Sequence, residues 1–282
     1  MPLFKKFIKL LIPEKIQAFL KKTVIRIYYF GHQYKCPFCK SYLRKLLPAG
    51  LKFPVLRQKE VVGGGYRSNA RCPICGSFDR ERLLYLFLLH KTDVFNKRLK
   101  LLHVAPETKI ACLFSDNQGI EYITADLNPQ GVMMKMDITK IQFADNSFDF
   151  IICNHVLEHV VDDQKAMSEL YRVLKPGGGA ILQVPISLSL KSTYEDFSIT
   201  KAQDRQDAFG QADHVRIYAR DYKNRLERSG FKVDIFQSKE AFFNNHKNRF
   251  CLNEKEDVYF ASKPKGKTVH VPEGERCYLL AG

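Results

Sequence analysis

Apolar residues in this chain follow two periods. Phe148–Cys153, FDFIIC, is a short and almost wholly apolar run, the pattern of a strand covered on both faces of a parallel sheet. After Asp162 and Asp163, placed where helix caps belong, Ala166, Met167, Leu170, Val173 and Leu174 recur three and four apart, which predicts a helix. Pro176 and Gly177–Gly179 stop that helix, and Ala180–Val184 is a second buried strand. Strand, helix and strand form one βαβ unit, whose crossover should be right-handed.

The same patterns extend in both directions. Leu101–Val104, Glu121–Ala125 and a strand ending at Lys135–Ile138 precede the unit, with a helix over Thr108–Asn117. A helix over Ala219–Ser229 and strands over Lys232–Phe236 and Asp257–Ser262 follow it. Upstream, Asp79–His90 is polar for one turn and then almost wholly apolar, a helix buried between two parts of the protein. The organisation expected is basic amphipathic helices over 1–30, a small module over 31–95, an α/β domain over 96–263 and a tail over 264–282.

Charge changes the picture of the front. Residues 1–100 hold 22 Lys and Arg against 5 Asp and Glu, while the remainder holds 23 against 25. An anionic partner is therefore expected to meet the first third of the chain. In Met1–Phe30, Leu3, Phe4, Ile8, Leu11 and Ile12 share a helical face flanked by lysines. Such a helix suits an anionic membrane surface, and equally suits packing on its own domain with a solvated basic edge. No apolar run approaches the roughly 18 residues of a membrane span. Lys and Glu interrupt the N-terminal apolar residues before a signal-peptide core forms. The cytoplasm, including the inner face of its membrane, is the expected compartment.

Four of the eight cysteines form two CxxC pairs, Cys36-Pro-Phe-Cys39 and Cys72-Pro-Ile-Cys75. Paired CxxC in such a chain predicts a four-thiolate structural zinc site, with two unrelated buried pairs as the alternative. The 32 residues between the pairs exceed the usual ribbon spacing and leave room for a hairpin-like segment at Gly63–Gly65.

The strand-loop sequence FDFIICNHVLEH, followed by Leu174-Lys175-Pro176-Gly177-Gly178, resembles the class I S-adenosylmethionine-dependent methyltransferases, in their type 11-like branch. The resemblance runs from about Leu99 to Lys263. It implies a Rossmann-like seven-stranded sheet of order 3-2-1-4-5-7-6, with S-adenosylmethionine at the carboxyl ends of its strands. The usual glycine-rich turn after the first strand is replaced by His103-Val104-Ala105-Pro106-Glu107, as in bacterial relatives with LHxAPE, so His103, Ala105, Pro106 and Glu107 become cofactor candidates. Asp126 ends the second strand, where an acidic residue accepts from ribose hydroxyls; capping of the turn at Asn128-Pro129 is its structural alternative. By the same resemblance Asp137 reaches the adenine amino group, Ile138 packs on the ring, and Asn154 and His155 face the methionine end, while His159 is expected to be structural.

Ser187–Gly210 is long and polar, as expected of a lid over the acceptor. His214 is the candidate general base, Arg216 a fork for an anionic acceptor group, and Tyr194 and Glu195 complete the pocket. A lid held together by its own ion pairs is the alternative for these four. The expected function is methyl transfer to a small-molecule or glycan-type acceptor. RNA is a less favoured acceptor, because no NPPY-like tetrapeptide follows the fourth strand. A non-catalytic binding protein on a degenerate fold is the reading from a different class.

Overall fold

The computed structural model of the chain describes residues 13–242 and 248–265. Residues 1–12 of the expected basic helices and all but the first two of the expected tail lie outside the described residues. The main sheet has seven strands, labelled β1 (Leu99–Val104), β2 (Ile120–Asp126), β3 (Met134–Lys135), β4 (Phe148–Cys153), β5 (Leu174–Ile181), β6 (Lys232–Gln237) and β7 (Asp257–Ser262). Their order is β3-β2-β1-β4-β5-β7-β6. β7 runs antiparallel to both its neighbours, and the remaining pairings are parallel. This is the Rossmann-like methyltransferase sheet expected from the sequence.

Two-residue alternation splits the central strands between two cores. Leu102, Val104, Ile151 and Cys153 point to one face, under the helix Asp163–Val173, which buries Ala166, Met167, Leu170 and Val173. Leu101, Phe150 and Ile152 point to the other, against Leu83, Leu84, Phe87 and Leu88 of the helix Asp79–Lys91. That helix therefore lies on the sheet itself, ahead of the boundary expected between residues 95 and 96.

Some element limits differ from expectation. β5 begins at Leu174, ahead of the glycines: Leu174 pairs with Phe148, the ladder slips, and Gly179 re-pairs with Phe150. Pro176 has no N–H to give and Gly177 adopts φ +82°, so the strand bulges there instead of stopping. The helix expected over Thr108–Asn117 ends at Ala111 and continues as turns, and the helix expected from Ala219 begins at Tyr222.

Ahead of the sheet, the helix Glu14–Tyr29 leads into two small hairpins, Phe30–Lys35 with Tyr42–Leu43 and Leu47–Ala49 with Arg67–Arg71. This module is fastened to the sheet domain from within. Arg82, fully buried, donates to the carbonyls of Ala70 and Ser77 on one side and of Phe250 and Cys251 on the other. Val61–Val62 pairs with Ile186–Ser187, just after β5. The N-terminal segment is thereby drawn over the carboxyl edge of the sheet.

Candidate active site

At the end of β1 the missing glycine is replaced in conformation as well as in position. Ala105 adopts φ +47°, a left-handed backbone that glycine takes freely and alanine adopts at a cost of about 1 kcal/mol, and its N–H donates to the Ala125 carbonyl. The turn is held from behind by His103, whose Nδ1 meets the Tyr122 hydroxyl and whose Nε2 meets Glu107 Oε2, each at 2.9 Å. Glu107 Oε1 accepts from Asn154 Nδ2 at 3.2 Å. Burial acts to raise the Glu107 carboxyl, but His103 holds it below the ordinary range. Three of the expected cofactor residues, from β1, its turn and β4, thus form one hydrogen-bonded chain across the sheet edge, with Pro106 in the same turn.

Asp126 ends β2 half-buried. Its Oδ1 accepts from Asn128 N–H at 2.8 Å, which is the turn cap, while Oδ2 takes no hydrogen bond among the described residues. Asp137 is exposed, bonded through Oδ1 to Thr139, and Ile138 beside it is buried. These side chains follow β1, β2, β3 and β4, the row along which a nucleotide lies in such sheets.

His155 also takes a left-handed backbone, φ +55°, with its N–H donating to Gln183 O. Strain of this kind concentrates where a loop must aim side chains. Here it turns the loop into a cavity of about 190 Å³ whose lining includes His155, Glu158, His159 and His214. Gly63, Gly64 and Arg80 reach the same cavity from the N-terminal segment. Glu158 Oε2 and Arg80 Nε are buried without a partner, an acceptor and a donor on two residues of the same small space. Burial raises the Glu158 carboxyl, and His155, whose Nδ1 is 3.5 Å from Oε1, more than offsets it. Burial pushes the His214 imidazole down to about 4, against the opposing pull of Glu158. The His214 ring stands edge-on to His159, 4.6 Å away, and His159 Nδ1 lies 3.1 Å from Asp213. A larger groove of about 680 Å³, with a mainly apolar lining, shares Leu51, Leu56, Val61 and Gly63 with this cavity.

Of the four lid residues singled out by sequence, His214 and Arg216 line the cavity, His214 with its imidazole uncommitted to the lid's ion pairs. Arg216 is fully buried, and its guanidinium is committed to protein groups. Its Nε donates to Glu195, Nη1 to the carbonyls of Leu157 and Val160, and Nη2 to that of Val161. Glu195 is shared with Arg225, and Tyr194 packs on Phe209 beneath the Lys59 ammonium. Arg216 and Glu195 therefore brace the loop that carries Glu158 and His159. Sequence reasoning missed Arg80 and Gly63–Gly64 as cavity walls and treated His159 as a structural helix start; only the fold-back of the N-terminal segment brings these groups together.

The cysteines converge in a separate place. Cys36 and Cys72 each accept at their carbonyl from the residue four ahead, Lys40 and Gly76, both with positive φ, and each donates N–H to a serine five ahead. Two matching knuckles result, with Cys36 and Cys75 sulfurs 3.6 Å apart and Cys39 and Cys72 sulfurs 3.8 Å apart. All four sulfurs lie within 4.8 Å of one another. Thiolates about 2.3 Å from a tetrahedral zinc stand about 3.8 Å apart, so the donor set and its spacing suit that ion.

Residues 102–182 match the methyltransferase-domain family. The ubiquinone/menaquinone biosynthesis C-methyltransferase of Idiomarina loihiensis is 30% identical over 192 residues, covering 56% of this chain and 76% of that one. The corresponding Klebsiella pneumoniae enzyme is 41% identical over 61 residues, which are 21% of this chain and 24% of that protein. Among solved structures, an S-adenosylmethionine-dependent methyltransferase of Archaeoglobus fulgidus aligns with 66% of this chain and 95% of its own at 16% identity and a TM-score of 0.44, a likeness too loose to add to the argument. With the sheet order, the turn after β1 and the family match agreeing, the chain belongs to the class I S-adenosylmethionine-dependent methyltransferases.

Proposed function

We propose that this protein methylates a small amphipathic molecule whose polar head enters the cavity between Arg80 and Glu158. The observation that carries the reading is the unpartnered donor and acceptor carried by two residues of that cavity, both buried, which a ligand's polar head could satisfy. The apolar groove beside it suits the remainder of such a molecule. The Idiomarina relative, named for quinone biosynthesis, supports a small-molecule acceptor.

In this reading His103, Glu107 and Asn154 hold the turn at Ala105 and Pro106 open for the cofactor. Asp126 Oδ2 accepts from its ribose, Asp137 and Ile138 frame the adenine, and His155 stands at the boundary with the acceptor. S-adenosylmethionine, when bound, supplies an activated methyl group. His214, neutral at physiological pH, takes the proton that the acceptor releases as it gains the methyl group, and passes it to solvent. Arg216, Glu195 and Tyr194 hold the lid, keeping water from the cavity. Cys36, Cys39, Cys72 and Cys75 hold a structural zinc that fixes the N-terminal wall.

The acceptor class is tested by giving the protein methyl-labelled S-adenosylmethionine and a cell extract. Label is expected in the organic-extractable small-molecule fraction. Label confined to RNA or to large glycans would overturn the reading.

A further inference from the structure

The helix Glu14–Tyr29 buries none of its residues, yet it is built as an amphipathic helix. Ile16, Phe19, Leu20, Val24 and Ile27 are all exposed, Ile27 at 72% and Phe19 at 68%. At 3.6 residues per turn these five fall within an arc of about 140°. Thr23 lies inside the same arc, and its hydroxyl is bonded back to the Phe19 carbonyl, so the stripe carries no unsatisfied polar group there. Ile25 and Tyr29 sit on the opposite side, and Tyr29 packs against the cysteine module. The helix is thus anchored by its last turn, and its apolar stripe faces away from the body of the protein.

The charges rule on what the stripe meets. Lys15, Lys21, Lys22 and Arg26 flank it, against the single acid Glu14. Lys40, Arg44 and Lys45 continue the basic surface beyond the helix. A polyanion such as RNA would use the charges and leave Phe19, Val24 and Ile27 in water. A second copy of the chain would bring like charges together. A bilayer with anionic headgroups satisfies both features, taking the stripe into the acyl boundary and the lysines at headgroup level.

We infer that the helix Glu14–Tyr29 is a monotopic anchor that lays the protein on an anionic lipid surface. This does not depend on the identity of the acceptor.

The test is sedimentation of the full-length protein with phosphatidylcholine vesicles, with and without phosphatidylglycerol. Binding to the phosphatidylglycerol vesicles is expected, weakened by high salt and roughly tenfold or more by Lys21→Glu with Lys22→Glu. Phe19→Ser with Val24→Ser should weaken it on the order of tenfold or more. Both variants should bind S-adenosylmethionine as the parent does, because neither touches the sheet edge. Absence of vesicle binding, or equal binding to both vesicle types, overturns the inference. So does light scattering that shows a dimer broken by the serine pair, or binding to homopolymer RNA in place of vesicles.

Discussion

Replacement of His214 by Ala is expected to lower turnover by about 10²–10⁴-fold while leaving affinity for S-adenosylmethionine unchanged. His214 lines the proposed acceptor cavity, and none of its ring contacts reaches Ala105, Asp126 or Asn154. The pH profile should carry the same signature. Burial lowers its pKa to about 4, so the ring is already neutral and able to accept a proton well below its ordinary value. The acid limb of the wild-type rate should therefore fall near 4 rather than near 6.5. Linkage has a matching sign: the unfolded chain takes up this proton first as the pH falls, so stability is lost between about 6.5 and about 4. His214→Asn should remove that part of the acid sensitivity. A variant that keeps full turnover on the acceptor fraction would show that the proton leaves by another route.

The second large effect is expected at the cysteines. Freshly purified protein should carry one zinc per chain, and Cys72→Ser should lose it, because three thiolates and an alcohol hold the ion far less tightly. Metal binding in such modules is inseparable from folding, so residues 31–78 should become open to proteolysis. Turnover should fall with the zinc, since Gly63 and Gly64 of that segment line the proposed acceptor cavity. The main sheet has its own two cores and should remain folded, with cofactor binding retained. Elemental analysis that finds no zinc in the wild type, or undiminished zinc in the variant, contradicts the assignment. Cys112 and Cys153 stand apart from the cluster, Cys251 packs beside it without being one of the four, and all three should be dispensable for metal.

The sheet was legible in sequence because its signals are local. Short, largely apolar runs marked β1, β4 and the last two residues of β5, and the three-and-four spacing of Ala166, Met167 and Leu170 marked the helix between β4 and β5. The cysteine pairs were equally legible, since each knuckle is made by neighbouring residues. Arg216 was not. A polar stretch such as Asp213–Arg216 looks exposed until the carbonyls of Leu157, Val160 and Val161 are found around its guanidinium. Those partners lie more than fifty residues away, and no periodicity reports them. Arg80 was hidden for the same reason. Ala105 is a subtler case: the sequence showed that glycine was missing, but only the backbone shows alanine in glycine's conformation. A motif written as residue types can therefore fail while the shape it encodes survives.

The most direct measurement of the account is a calorimetric titration of S-adenosylmethionine into the wild-type protein and into Asp126→Ala. Asp126 ends β2 with one carboxylate oxygen capping the turn and the other without a partner among the described residues. Hydrogen bonds to a charged acceptor contribute roughly 1.5–3 kcal/mol, so the account predicts single-site binding weakened on the order of tenfold to a hundredfold in the variant. Equal affinity in the two proteins, with both folded, would contradict it.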